Sequence, residues 1–217
     1  WTMPGNRAVA YGPDIDYVVI EVKETADGSL AKAGERLVVA RARLATFASD
    51  CRINGFGEAA AVNGAALAGT ICSHPLRGQG FDFDVPALAA EFATTEEGTG
   101  IVHIAPGHGA DDWELGVASG IEVPQTVGKD GCFYDHVPLF AGKHVYKVNG
   151  EVADTIEAAG GLLARGSLTH PVNSQYCTLY FWHTSKTISG HWRFSDAITG
   201  DLIQHGSSIH TGVSLYS

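Results

Sequence analysis

The segment from residue 98 to residue 112, GTGIVHIAPGHGADD, constrains the fold of this chain more than any other. A glycine-flanked turn leads into the apolar run 101–105, which predicts a short buried strand. Pro106 and the glycines around it require a sharp turn, and residues 110–119 then predict a short helix. Because strand, turn and helix follow one another so closely, their side chains are expected to meet in one place.

Side chains alternate along this strand, and two of its apolar residues, Val102 and Ile104, can enter the core. This arrangement leaves His103 facing a crevice flanked by glycine and alanine, where a ligand has room to approach. Asp111 and Asp112 lie one sharp turn later, in the first turn of the predicted helix. The helix dipole there favours an ionised carboxylate, so Asp112 suits a site for a ligand ammonium.

Two other interpretations of these residues stay open. His103 can be a hydrogen-bonded core histidine, with Asp111 or Asp112 as an ordinary helix cap. A metal-dependent hydrolase is the second alternative, because His103, His108 and Asp112 offer ligands, although their spacing places no fourth ligand. A P-loop is excluded, since residues 98–100 lack its lysine and its length.

The rest of the chain interleaves strands and helices without repeats, which predicts an α+β fold. Residues 17–22 are apolar and β-branched and predict a strand, whereas residues 35–49 have apolar residues at helical spacing and predict a helix. Further strands are expected near residues 65–67 and over residues 87–92. A helix marked by Val152, Ile156 and Ala159 is expected to stop at the following glycines.

Composition limits the partners and the compartment. With 24 acidic and 14 basic residues the formal charge is -10, which excludes a general polyanion binder. Phosphate groups could therefore contact only scattered basic residues such as Arg41, Arg43, Lys129, Lys143 and Lys147. Four widely spaced cysteines indicate reduced cytoplasmic thiols, and no apolar run approaches the ~20 residues of a membrane span. Because the only methionine is Met3, we expect a piece of a longer protein.

Beyond these patterns, GTGIVHIAPGHGADD resembles the hallmark of the editing domain of isoleucyl-tRNA synthetase, a domain inserted in a class I catalytic core. Three other segments resemble parts of the same domain, namely WTMPGNRAVAY at the start, HPLRGQGFDFDVP at 74–86 and TVGKDGCFYD at 126–135. The valyl and leucyl relatives share the GTG start but are not expected to read VHIAPGHG after it. The resemblance covers residues 1 to about 170, and the HIGH and KMSKS signatures of the ATP-using core are absent from the sequence.

The resemblance implies a bent, barrel-like β-sheet with flanking short helices and an aminoacyl-tRNA deacylase activity. An extra methylene is worth only ~1–3 kcal/mol in a pocket, a limit for which isoleucyl-tRNA synthetases are themselves the standard example. Such an enzyme therefore uses a second site, which hydrolyses valine mistakenly joined to tRNA(Ile), here by direct attack of water. The implied partners are the valine-carrying 3′ end of tRNA(Ile) and the rest of a cytoplasmic synthetase.

The resemblance also assigns roles to residues. It places Asp112 against the substrate ammonium and His103 in the pocket wall, where its bulk excludes isoleucine, and it adds Asn6 to this catalytic set. The residues implied to bind substrate are Trp1, Thr2, Gly98, Thr99, Gly100 and His108. No metal or cofactor is expected in this segment, because ATP and Mg²⁺ belong to the catalytic core of the parent enzyme.

The sequence departs from the family pattern in two places. The threonines that the family carries just before Trp1 are missing, so a non-catalytic fragment that binds the tRNA acceptor end is a third alternative. Residues 171–217 are dense in Ser, Thr, His and Gly and show no resemblance to the family. We therefore expect an editing domain over residues 1–170 and an atypical, poorly packed tail over residues 171–217.

Overall fold

The computed structural model describes residues 1–96 and 98–169 and five short strands beyond them, with side chains described as far as residue 166. The strands are β1 (Ala8–Tyr11), β2 (Asp16–Thr25), β3 (Arg36–Ala40), β4 (Ile53–Asn63), β5 (Ile71–Ser73), β6 (Asp84–Ala89), β7 (Ile101–Ile104), β8 (Ala164–Thr169), β9 (Tyr176–Trp182), β10 (Trp192–Ser195), β11 (Leu202–Gly206), β12 (His210–Thr211) and β13 (Val213–Ser214). The α-helices are α1 (Leu44–Asp50), α2 (Ala110–Ala118) and α3 (Val145–Ala158). Sheets with a few short helices confirm the predicted α+β class.

Two larger sheets organise the chain. The first has the strand order β5–β6–β1–β7–β13–β9–β8, and the second has the order β12–β3–β2–β4. Strand β7, which carries His103, pairs antiparallel with β1 and parallel with β13. The predicted strand, turn and helix over residues 101–119 are therefore confirmed as β7, a turn and α2.

The packing of strand β2 explains why its sequence is so apolar. Tyr17 and Val19 pack into the larger hydrophobic core, whereas Val18, Ile20 and Val22 pack into a second core with α1. Burial on both faces produces a nearly continuous apolar run rather than an alternating one. The predicted strand at residues 17–22 is thus confirmed and runs longer than expected.

The helix predicted over residues 35–49 is wrong in its first half. Strand β3 occupies this half and, like β2, buries residues on both faces, with Leu37 and Val39 in the second core and Val38 and Ala40 in the larger one. Apolar residues at helical spacing were in this case the signature of a doubly buried strand. Only the second half is helical, as α1.

Two strand positions also differ from the prediction. Residues 65–67 belong to a short 3₁₀ turn, Gly64–Leu67, and the strand of this region is β4, which pairs along the length of β2. A Cβ on Gly64 would lie 1.9 Å from the Gly12 carbonyl oxygen, so the chain must leave the sheet there in close contact. The strand predicted over residues 87–92 is β6, which begins earlier, at Asp84.

Helix α3 confirms the predicted apolar face. Val148, Val152 and Ile156 are buried along it, and the chain turns at Gly160, which has a φ of +73°. None of the helices among the described residues is long and apolar enough to span a bilayer.

The first sheet includes strands from the last part of the chain. Strand β9 pairs with β8, and β13 pairs with both β7 and β9. Side-chain packing over residues 171–217 lies outside the described residues. The predicted domain boundary near residue 170 and the poorly packed tail therefore stay predictions.

Candidate functional site

The turn that precedes β7 is fixed by the second sheet. Gly98 and Gly100 have φ values of +63° and +79°, and a Cβ on Gly100 would lie 2.6 Å from that of Ala40. The Ala40 amide donates to the Thr99 carbonyl (2.8 Å), and the Tyr17 hydroxyl donates to the Gly100 carbonyl (2.6 Å). All three residues of this turn, predicted to bind substrate, are buried, and these contacts give them a role in holding the start of β7.

Arg43 extends this anchoring to the preceding loop. Its Nε donates to the Gly98 carbonyl at 3.1 Å, and its Nη1 donates to the Glu96 carbonyl at 3.3 Å. The loop carrying Thr94 and Glu96 is thereby tied to the end of β3. Sequence reasoning considered Arg43 only as a possible phosphate contact.

His103 is a buried, hydrogen-bonded residue with 2% of its surface exposed. The amide nitrogen of Asn6 approaches its Nδ1 at 2.7 Å and also lies 2.8 Å from the carbonyl of Ala8, which fixes that nitrogen as the donor. His103 Nδ1 must then accept, so its proton is on Nε2, which lies 3.1 Å from the Thr2 hydroxyl. Burial lowers the pKa of His103 well below its usual value, in agreement with a neutral ring.

His103 thus combines the two interpretations of its sequence, because it lines a cleft and is also a hydrogen-bonded core histidine. Thr2 and Asn6, which lie about a hundred residues earlier in the chain, occupy both ring nitrogens. His103 still contributes to a cleft, but as a held wall rather than a free imidazole. Thr2 and Asn6, both predicted for the site, act through this histidine.

His74 secures the segment that carries Thr2 and Asn6, and sequence reasoning gave it no role. The Leu76 amide donates to its Nδ1 at 3.1 Å, so its Nε2 donates to the Met3 carbonyl at 3.0 Å. The ring stacks on Phe81 at 4.7 Å between centroids. Burial lowers the pKa of His74 to about 3, so it too is neutral.

Asp112 occupies the other side of the cleft, in the first turn of α2. Its Oδ2 accepts a hydrogen bond from the Ala105 amide at 2.7 Å, and no described residue bonds Oδ1. Burial raises the pKa of this carboxyl, the hydrogen bond from Ala105 lowers it, and the charge of Asp111 raises it. Desolvation is the largest of these effects, and the expectation that Asp112 is ionised for a ligand ammonium stays a prediction.

One cleft of about 320 Å³ brings these features together. Its lining residues are Phe92, Thr94, Glu96, Val102, His103, Asp111 and Asp112. The predicted convergence of His103 and Asp112 is thus observed. The opposite wall, from residues 92–96, was missed, because nothing in its sequence marks a loop that long-range contacts bring beside α2.

Trp1 and His108 lie apart from this lining. Their rings meet edge to face with centroids 4.8 Å apart, and His108 Nε2 lies 2.6 Å from the Thr126 hydroxyl. Burial lowers the pKa of His108 to about 4. These two residues, predicted to bind substrate, therefore form a contact of their own beside the N-terminal segment.

A metal centre is not formed by the candidate ligands. Within the described part of the chain, no group of three or more His, Cys, Asp or Glu residues could hold a metal ion. His103, His108 and Asp112 instead bond to Asn6 and Thr2, to Thr126 and to Ala105.

Sequence comparison connects this chain to one enzyme family. It is 44% identical over 181 residues to the isoleucine–tRNA ligase of Gluconobacter oxydans, with 78% of this chain and 19% of that protein covered. It is 41% identical over 170 residues to that of Pelagibacter ubique, with 78% and 18% covered. No family model matches the chain. The chain spans about a fifth of the length of these curated relatives, and the similarity confirms its resemblance to isoleucyl-tRNA synthetases.

Structural comparison agrees with this assignment at the level of the fold. The crystal structure of GlLeuRS-CP1 superposes with a TM-score of 0.52 and 16% sequence identity, over 70% of this chain and 75% of that one. The expected fold of a class I synthetase editing domain is thereby confirmed.

Proposed function

We propose that this segment of an isoleucine–tRNA ligase is an editing hydrolase, which removes valine mistakenly joined to tRNA(Ile). The observation that carries the proposal is the cleft in which a carboxylate with one uncommitted oxygen faces a rigid, uncharged imidazole. Sequence similarity to isoleucine–tRNA ligases and the shared fold support the same conclusion.

Asp112 binds the α-ammonium of the aminoacyl group. Its Oδ2 is held by the Ala105 amide, which aims the carboxylate and leaves Oδ1 for the ligand. Burial that raises the pKa of an unliganded carboxyl also strengthens its attraction to a cation that enters the cleft. Free tRNA has no ammonium at this position, so the contact favours charged over uncharged tRNA.

His103 limits the size of the aminoacyl side chain. Its ring cannot swing aside without breaking the hydrogen bonds to Asn6 and Thr2, so the wall stays in place when a larger substrate arrives. Valine fits against this wall, and isoleucine carries one methylene more. Asn6 is a positioning residue in this scheme because it acts through His103.

The reaction is hydrolysis of the ester between the amino acid and the terminal ribose. Water attacks the ester carbonyl carbon, the bond to the ribose oxygen breaks, and that oxygen leaves with a proton as a hydroxyl. The described lining of the cleft contains no cysteine or serine, and no base is paired with Thr94, since both ring nitrogens of His103 are bonded to Asn6 and Thr2. We therefore infer direct attack by water. His103 does not serve as base, since its Nδ1 accepts from Asn6.

The remainder of the proposal concerns the whole enzyme. We place ATP and Mg²⁺ in the catalytic core of the parent ligase and assign no cofactor to this segment. The partners are the valine-carrying 3′ end of tRNA(Ile) and the rest of the synthetase, acting in the cytoplasm.

The test is deacylation of Val-tRNA(Ile) by the chain and by the parent enzyme, each with Asp112→Ala. A charge-assisted contact is worth ~1.5–3 kcal/mol, so the rate should fall about ten- to a hundredfold. Asp111→Ala is the matched control, because Asp111 lines the same cleft on the same helical turn and is exposed.

Three results would contradict the proposal. Equal losses from both variants would indicate helix capping, and loss of activity in a chelator would indicate a metal-dependent hydrolase. Tight binding of the acceptor end without deacylation, even in the parent enzyme, would leave only a binding fragment.

A further inference from the structure

A second feature of the chain lies outside the cleft, around the turn over residues 128–131. The amide of Gly131 donates to the carbonyl of Gly128 at 3.0 Å, and the Gly128 amide donates to the Cys132 carbonyl at 2.8 Å. Lys129 is exposed at the tip of this turn. We call the surface formed by Lys129, Tyr134, His144, Tyr146 and Lys147 the basic-aromatic surface.

Contacts around this turn place these residues side by side. A Cβ on Gly128 would lie 3.4 Å from Cε1 of Tyr134, and a Cβ on Gly131 would lie 2.9 Å from Nε2 of His144. The His144 ring in turn lies 5.4 Å from that of Tyr146.

Lys147 completes the group from the first turns of α3. Its amide donates to the His144 carbonyl at 2.9 Å, and its side chain is exposed next to Tyr146. Residues from the turn and from α3 therefore share one surface, although the sequence separates them by up to 18 positions.

The charge of this surface opposes that of the chain. Residues 126–149 contain three lysines and two aspartates, a formal charge of +1, whereas the whole chain carries -10. Among the described residues, neither Lys129 nor Lys147 forms an ion pair, while Lys143 pairs with Glu151. Asp130 Oδ1 accepts from the Cys132 amide, which holds this carboxylate within the turn but leaves its charge in place. Two ammonium groups without an ion pair among the described residues thus stand on a surface whose three lysines exceed its two aspartates.

The aromatic rings here are unusually open. Tyr146 is 68% exposed, more than any other large hydrophobic side chain among the described residues, and Tyr134 is 41% exposed. His136 stacks on one face of Tyr134 with centroids 5.6 Å apart, so a base could stack only on the part of this ring that stays exposed. Exposed rings between lysines provide stacking faces for bases and counter-charges for phosphates.

The same surface is joined to the N-terminal side of the site. The Tyr134 amide donates to the Thr126 carbonyl at 3.0 Å, and the Thr126 hydroxyl lies 2.6 Å from His108. His108 contacts Trp1, so a short chain of contacts leads from the surface to the segment that holds His103.

We propose that the basic-aromatic surface docks single-stranded RNA, with phosphates at Lys129 and Lys147 and bases stacked on Tyr134 and Tyr146. Under the proposed function, on which this assignment to a tRNA rests, the strand is the unpaired 3′ end of the substrate. The surface then supplies the local positive charge that an acidic chain needs to hold a polyanion.

The experiment measures binding of a labelled single-stranded RNA with the sequence of a tRNA 3′ end, without any amino acid. Tyr146→Ala should weaken binding about five- to a hundredfold, the usual effect of losing one stacked base. The double variant Lys129→Ala/Lys147→Ala should make the slope of log K against log salt shallower by about 1.4, because each single-strand phosphate contact contributes about 0.7. Matched controls are Phe56→Ala, an exposed ring on β4, and Lys32→Ala, an exposed lysine before β3.

The outcomes separate this proposal from the proposed function. Unchanged affinity and salt slope in the variants, or equal losses in the controls, would overturn the docking surface even if Val-tRNA(Ile) is hydrolysed. Equal binding of an RNA duplex would also overturn it, since paired bases cannot stack on the tyrosines. The predicted RNA binding without any deacylation would support the surface and count against the editing activity alone.

Discussion

The two sides of the cleft use their polar atoms in different ways. On the inner side His103 lines the cleft, and Thr2, Asn6 and His74 support it without lining the cleft. The side chains of these four residues, which we call the inner wall, are buried and bonded to one another or to the backbone. On the outer wall, formed by Phe92, Thr94, Glu96, Asp111 and Asp112, the side chains are partly or largely exposed and face the open cleft. The comparison teaches that the inner wall sets a shape, whereas the outer wall supplies charge to a ligand.

Lowering the pH should destabilise the inner wall, and the resulting loss in the free energy of unfolding is the largest effect we expect. With a pKa of about 3 in the fold, His74 binds fewer protons when folded than when unfolded. The contribution of His74 to the free energy of unfolding is fully present above pH 6.5 and is lost as the pH falls. The loss is about 3 kcal/mol at pH 4. His108, with a pKa of about 4, acts in the same direction. The raised pKa of Asp112 acts in the opposite direction and offsets part of the loss.

The measurement is the free energy of unfolding in denaturant at pH 7 and pH 4. His74→Gln keeps a polar side chain but cannot titrate, so its stability should depend less on pH than that of the natural chain. Parallel pH dependences for the two proteins would contradict the buried, neutral state of His74.

Asn6→Ala should weaken the inner wall by about 2 kcal/mol at neutral pH. The change leaves His103 Nδ1 and the Ala8 carbonyl buried without this donor, and each unsatisfied group costs ~1–3 kcal/mol. The buried Oδ1 of Asn6 has no hydrogen-bond partner among the described residues, and its removal returns part of that cost. Asn63→Ala, which removes one exposed cap to Ala65, is the control and should cost under about 1 kcal/mol. A cost at Asn6 no larger than this would mean that the wall is not held as described.

Arg43→Ala should loosen the outer wall with the smallest effect of the series. Losing two hydrogen bonds from a half-exposed guanidinium should raise the KM for Val-tRNA(Ile) about two- to tenfold and leave kcat nearly unchanged. Hydrogen exchange at the amides of residues 98–101 should become faster. Arg41→Ala, which removes only an exposed pair with Glu58, is the control. Equal exchange in the two variants would exclude an anchoring role for Arg43.

The same contrast explains what the sequence could predict. Strand β7, its turn and α2 were predictable because a short apolar run, Pro106 and nearby glycines are local signals. The convergence of His103 and Asp112 followed from their short separation along the chain. Strand β3 was misassigned because burial on both faces, which comes from two cores that local sequence does not show, removed the alternation that marks a strand.

Long-range contacts account for the remaining errors at the site. The partners of His103 lie about a hundred residues away, so its burial left no signal near the histidine itself. Burial is the main cause of the raised pKa of Asp112, and the position of this residue in the first turn of a helix does not show that burial. Tertiary contacts thus determine the hydrogen bonds of His103 and the burial of Asp112, and both residues line one cleft.

The central claim is that His103 is a wall and not a base, and activity of His103→Ala toward two substrates tests it most directly. The assay compares hydrolysis of Val-tRNA(Ile) and of correctly charged Ile-tRNA(Ile) by the intact parent ligase, with folding checked by thermal unfolding. We predict that the variant retains activity on Val-tRNA(Ile) and gains activity on Ile-tRNA(Ile), because the removed ring makes room for one methylene. Loss of both activities by ~10²–10⁴, as removal of a general base would cause, would contradict the claim, as would loss on Val-tRNA(Ile) without gain on Ile-tRNA(Ile).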